Sequence, residues 1–102
     1  MSAVGLTGAL LIAAALFALG LFGVLARRGI LFQLIALEVM LSGPALAFVA
    51  AGAHHGDPGG QAMFVLVLTL AAAEVAIGLA LYLRIRRVFG DDDSDAVSEL
   101  GG

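Results

Sequence analysis

The chain has 102 residues, 62% hydrophobic and 13% charged, with a formal net charge of −3. A soluble domain is about 45–50% apolar and about 25% charged, so this chain has too few polar residues to cover a water-facing surface, and it lacks the charge-rich composition of a disordered segment. With no Cys and no Lys it carries no disulfide, no thiolate metal or iron–sulfur ligand and no basic surface for nucleic acid, which leaves an integral membrane protein.

Residues 3–26 hold no charge, and Arg27 and Arg28 follow them. Residues 30–53 hold one charge, Glu38. The polar stretch His54–Gly60 comes next, then residues 62–83 with one charge, Glu74. Arg84, Arg86, Arg87 and an acidic tail end the chain. A membrane-crossing helix needs about 20 mostly apolar residues, and all three runs are long enough. The expected fold is therefore all-α and integral to the membrane: three transmembrane helices with short loops in a domain over 1–89, and an acidic tail over 90–102. The first run reads as a span rather than a cleaved leader, because residues 1–8 contain no basic side chain and the apolar run is long.

Orientation follows from the arginines, because short cytoplasmic loops collect Lys and Arg. All five lie in the first loop or just past the third run, which three spans place on one side. The N-terminus and His54–Gly60 are thus expected outside. Arg27, Arg28 and the C-terminus are expected inside, with the acidic tail in the cytoplasm, free or docked on a neighbour's basic surface.

Glu38 and Glu74 carry the functional signal. A charged side chain at the centre of a membrane helix costs on the order of 2.5–3.5 kcal/mol even on the lenient insertion scale. No Lys, Arg or His lies within the three runs to compensate it. Each carboxyl must pair with another chain or hold a proton, and a carboxyl poised near neutrality suits a proton relay. Glu38 lies ten residues after Arg28 and Glu74 ten before Arg84. At 1.5 Å per residue both sit about 15 Å from the arginine boundary, near the middle of the bilayer. Matched depth on antiparallel helices fits a lateral path along the midplane; the alternative is a pair of protonated, hydrogen-bonded packing residues.

The neighbouring residues sharpen this. Ala71, Ala72, Ala73 and Gly78 around Glu74 predict tight packing of the third helix against another. Ser42 is four residues after Glu38 and shares its face. Gly43-Pro44 is expected to kink the second helix, and the carbonyl of Met40, without a helical donor, is a place for water in a proton path; equally, transmembrane helices tolerate Pro routinely. His54 and His55 are adjacent, but with no third ligand nearby they do not read as a metal site. Arg27 and Arg28 read as topology signals or as a contact for a cytoplasmic-side partner. Gly20 and Gly23, three apart, are a weak packing signal.

Three runs, Arg27-Arg28, Leu37-Glu38-Val39-Met40 and the segment Leu70-Ala71-Ala72-Ala73-Glu74-Val75-Ala76-Ile77-Gly78-Leu79-Ala80 together resemble the subunit K family of bacterial NADH-quinone oxidoreductase, respiratory complex I, whose mitochondrial counterpart is ND4L. Gly60-Gln61-Ala62-Met63 resembles the family's entry to the third helix, and Val97-Ser98-Glu99-Leu100-Gly101 its C-terminal signature. The likeness covers about residues 10–101. It implies a membrane-arm subunit of a hetero-oligomeric proton-translocating complex in the bacterial cytoplasmic (inner) membrane. It also implies that Glu38 and Glu74 are the family's two intramembrane carboxylates, acting in proton relay. The complex is expected to use NADH, flavin, iron–sulfur clusters and quinone in other subunits, with no cofactor or metal in this chain and no activity of the chain alone. One departure stands out: where the family usually has a polar Asn-Ala-type pair after Leu41, this chain has Ser42-Gly43-Pro44, so the Ser42 hydroxyl is a candidate replacement partner for Glu38.

The nearest alternative is the small three-span subunit of multisubunit cation/proton antiporters, which shares the pattern Asp57-Pro58-Gly59-Gly60-Gln61. Glu74 within the Ala-rich helix argues against it. A small proton-coupled drug exporter has four spans, an ATP-synthase ring subunit has two spans and one carboxylate, and a pure packing protein has no use for matched carboxyls.

Overall fold

The computed structural model describes residues 1–89; the expected acidic tail and the Val97–Gly101 signature lie outside the described residues. Three helices span them: α1 (Ala3–Ala26), α2 (Ile30–His55) and α3 (Gly59–Phe89). Each is long and apolar enough to cross a membrane.

The helix ends follow from local chemistry. The Ser2 hydroxyl accepts from Gly5 N–H at 3.0 Å and caps α1. Gly56, at φ +66°, ends α2 in the left-handed conformation that a residue with a Cβ rarely adopts, and the following Asp57 N–H donates back to Gly52 at 2.9 Å. The Asp57 carboxylate accepts from Gly59 N–H at 2.9 Å, and Pro58, with no N–H to lose, leads into α3. This turn explains why α3 begins at Gly59, three residues before the apolar run predicts. At its other end α3 continues six residues past the apolar run. Arg84, Arg86 and Arg87 there suit the negative end of the helix dipole, and Arg86 donates to the Tyr82 hydroxyl at 3.2 Å.

α2 is the middle element: α1 and α3 each pack along it and barely touch one another. The contact surfaces are built from the smallest side chains. The buried residues are Ala13 and Gly20 on α1, Ala36, Gly43 and Ala50 on α2, and Ala71 on α3. On α1 and α2 they recur every seven residues, which keeps one narrow seam facing its partner along a gently crossing helix pair. The large side chains point outward, with Phe22 71% and Leu25 77% exposed. In water this arrangement would be inside out; against lipid or neighbouring chains it is the expected one.

Two glycines set how close the helices come. A Cβ on Gly20 would collide with the backbone of Met40, and one on Gly43 would lie 2.5 Å from the carbonyl oxygen of Ala13. The weak packing signal at Gly20 and Gly23 is thus a real contact: Gly23 faces Ala36, where an added Cβ would come within 2.9 Å. Gly43 makes a contact of the same kind. α2 remains helical from Ile30 through Pro44 to His55, and Gly43 is there to admit α1.

A midspan carboxyl pair

Two glycine contacts mark the register of α2 against α3. Near the loop, Gly52 and Gly60 abut so closely that a Cβ on Gly52 would lie 2.8 Å from the Gly60 Cα. Far from the loop, Gly78 packs on Leu34, whose Cδ1 would be 2.7 Å from an added Cβ. From the first contact to the second is eighteen residues along either helix. Glu38 and Glu74 each lie four residues from the second contact, toward the loop, so they stand at one level. The tight packing expected beside Glu74 is supplied by α2 itself.

Both carboxyls are half-buried. Glu38 Oε1 and Glu74 Oε2 are buried with no hydrogen-bond partner. Two anions at one level of adjacent helices in a low-dielectric setting repel each other and lack solvation. Chemically the pair can hold a proton on one or both members, or receive donors from outside the chain.

Ser42 does not take the part expected of it. Its hydroxyl donates to the backbone carbonyl of Glu38 at 2.9 Å, the usual back-bond of a helical Ser, and not to the carboxylate. Instead Glu38 and Ser42 line an apolar cleft of about 850 Å³ that runs from Glu38 and Ala71 toward the loop end at Val49 and Gln61. Through this cleft Glu38 is open to the outside of the chain.

The arginines gather at one end, as three antiparallel helices require. Arg27 and Arg28 lie in the turn between α1 and α2, and the other three lie near the end of α3. The Arg27 guanidinium sits over the Phe32 ring, 4.7 Å from its centroid. At the opposite end His54 Nδ1 hydrogen-bonds the Met1 carbonyl oxygen at 2.8 Å and its ring meets that of His55 edge to face, 5.0 Å between centroids. That bond gives His54 a structural use and ties the N-terminus to the α2–α3 end. Sequence reading missed Gln33. Its side-chain amide donates to Val24 O at 3.3 Å and Arg27 O at 2.9 Å, capping α1 from α2; a lone amide among apolar residues, six positions past Arg27, was the available signal.

The profile of NADH-ubiquinone/plastoquinone oxidoreductase chain 4L matches residues 8–102. The chain belongs to the chain 4L family. Among its relatives, NADH-quinone oxidoreductase subunit K of Rhodopseudomonas palustris strain BisA53 is 76% identical over all 102 residues of both chains. Subunit K of strain BisB5 is 70% identical over the same full length. The subunit K of Pseudomonas aeruginosa strain LESB58 is 55% identical, again with both chains fully covered. This member of the chain 4L family is a multi-pass membrane protein, and its carboxyl pair lies in the two helices that the family match spans in full.

Proposed function

We propose that this chain is a membrane-arm subunit of a proton-translocating NADH-quinone oxidoreductase, and that Glu38 and Glu74 belong to the proton relay that couples quinone reduction to pumping. Full-length identity to chains named subunit K supports the complex and favours it over a cation/proton antiporter. The observation that carries the relay is the carboxyl pair itself: two half-buried acids at one level, each with a buried oxygen that lacks a partner. A packing pair would be expected to hydrogen-bond to its own surroundings; a relay pair needs free valence toward the next group in line. NADH, flavin, iron–sulfur clusters and quinone belong to other subunits, and this chain takes no part in electron transfer. The arginine end faces the cytoplasm and the His54–Gly60 end faces outward across the bacterial inner membrane, by the positive-inside rule. Residues 1–89 form the membrane domain and 90–102 a cytoplasmic acidic tail. Arg27 and Arg28 fix this topology and stand where a cytoplasmic-side subunit can reach them.

The test is Glu38→Gln and Glu74→Gln in the intact complex. Gln keeps size and most hydrogen bonding but cannot give or take a proton. Quinone-coupled NADH oxidation and pumping should fall strongly, while NADH oxidation by an artificial acceptor survives because electrons enter elsewhere. The double variant should be little worse than the more severe single one, since residues acting as a unit are not additive. An assembled double variant that pumps at the wild-type rate leaves only the packing role.

A further inference from the structure

The turn between α1 and α2 is short, and its backbone has more hydrogen-bonding groups than its own helices can satisfy. The last carbonyls of any α-helix lack intrahelical donors, and at the edge of a membrane such groups are costly to leave bare. α1 ends at Ala26 with Arg27 already extended, φ −120° and ψ 148°. Glycine at position 29 begins α2 without a side-chain cap. Into this gap α2 sends the Gln33 amide, whose nitrogen bonds Val24 O at 3.3 Å and Arg27 O at 2.9 Å. The preceding side chain, Phe32, lies under the Arg27 guanidinium. Adjacent residues of α2 thus grip Arg27 by its carbonyl and by its charge.

The grip falls at a consequential place. Between it and the His54–Met1 bond at the far end, α1 and α2 meet along a close-packed seam of Ala and Gly residues, and directional hydrogen bonds at the two ends add to that seam. Glu38 lies five residues beyond Gln33, about 7.5 Å deeper along the axis. Whatever fixes Gln33 against the end of α1 also fixes the depth of Glu38.

We propose that Gln33 is a positioning residue: by clamping the Val24 and Arg27 carbonyls it holds α2 in axial register with α1 and so sets the depth at which Glu38 meets its proton partners. The functional half of this rests on the relay reading above, and the clamp half does not.

The test uses the whole complex with three variants. Gln33→Leu keeps bulk and loses the donor. Gln33→Glu keeps shape and puts an acceptor against two carbonyls. Gln33→Lys restores donors that can reach helix-end carbonyls. Amide hydrogen exchange over residues 24–29 reads the clamp, and quinone-coupled pumping as a function of pH reads the position of Glu38. Leu and Glu should speed exchange and slow pumping by about three- to tenfold, the scale of one net hydrogen bond, and should move the pH profile. Lys should restore all three, with artificial-acceptor activity unchanged throughout. Unchanged exchange in Gln33→Leu overturns the clamp. Faster exchange with an unmoved pumping rate and pH profile overturns the positioning role. Equal loss in Leu and Lys overturns it too, since the donor would then be irrelevant. If Glu38→Gln pumps normally while the exchange pattern holds, the relay reading fails and the clamp survives.

Discussion

At the residue scale the least conspicuous side chains do the most. A Cβ at Gly20 has nowhere to go, because the backbone of Met40 occupies the place, whereas a Cβ at Gly8 meets nothing within 4 Å. Both glycines are helical, so the two positions separate packing from propensity. Gly8→Ala should be neutral or raise stability by up to about 1 kcal/mol, as removing a helical Gly does. Gly20→Val should force α1 off α2 and cut the yield of assembled complex severely, which blue-native electrophoresis of membranes would show. If Gly20→Val assembles normally, the close approach is not required. Glu38 and Glu74 were legible from sequence because charge in an apolar run is rare and its depth can be counted from the arginines. Gly20 gave only a weak signal, and the contacts of Gly43 and Gly60 gave none, since a glycine in a membrane helix looks the same whether it faces lipid or a backbone. Only the packed structure distinguishes them. The actual partner of the Ser42 hydroxyl was hidden for a similar reason: sequence spacing gives the shared face but not the choice between carboxylate and carbonyl.

At the scale of elements, the spans were readable and their ends less so. α1 coincides with the uncharged run over 3–26, because a Ser cap and a charged pair delimit it. α3 overran its apolar run at both ends, for reasons that lie in the turn and the helix dipole and not in hydropathy. The Asp57 cap is the piece most open to test. Asp57→Ala removes the acceptor for Gly59 N–H, and loss of such a cap costs about 0.5–2 kcal/mol. The α2–α3 turn should open, detectable as faster amide exchange over residues 57–62 with little change near Gly78. Asp57→Asn retains an acceptor and should behave nearly as wild type. A uniform loss of protection along all of α3 would show that the turn does not act locally.

At the scale of the whole molecule, α1 and α3 flank α2 without closing into a bundle, and large apolar side chains cover the outside. Among the described residues there is no sizeable interior, the core being a few Ala and Gly residues. Expressed without neighbours it should be poorly stable in detergent, with no flavin or haem absorbance and no NADH oxidation; a redox-active group in the isolated chain would refute the division of labour proposed above. Sidedness is equally testable, because the absence of native Cys permits clean labelling. A Cys in place of Asp57 should react with an impermeant thiol reagent on intact cells, and one in place of Ser94 only after lysis. The reverse pattern would invert the assignment of the arginine end to the cytoplasm.

The contact of Gly78 on Leu34 has a mechanical side as well. α3 is a continuous rod, and were the Gly52–Gly60 contact to loosen, the Gly78 contact would be a fulcrum set close to one of its loads. Glu74 is four residues from the fulcrum, about 6 Å, while Phe89 is eleven residues away on the other arm, about 16 Å. A rocking motion that swings the Phe89 end by about 3 Å shifts Glu74 by only about 1 Å, the ratio of the two arms. In such a motion a large excursion at the Phe89 end would reach the half-buried acid geared down, within the range over which a hydrogen bond forms or breaks.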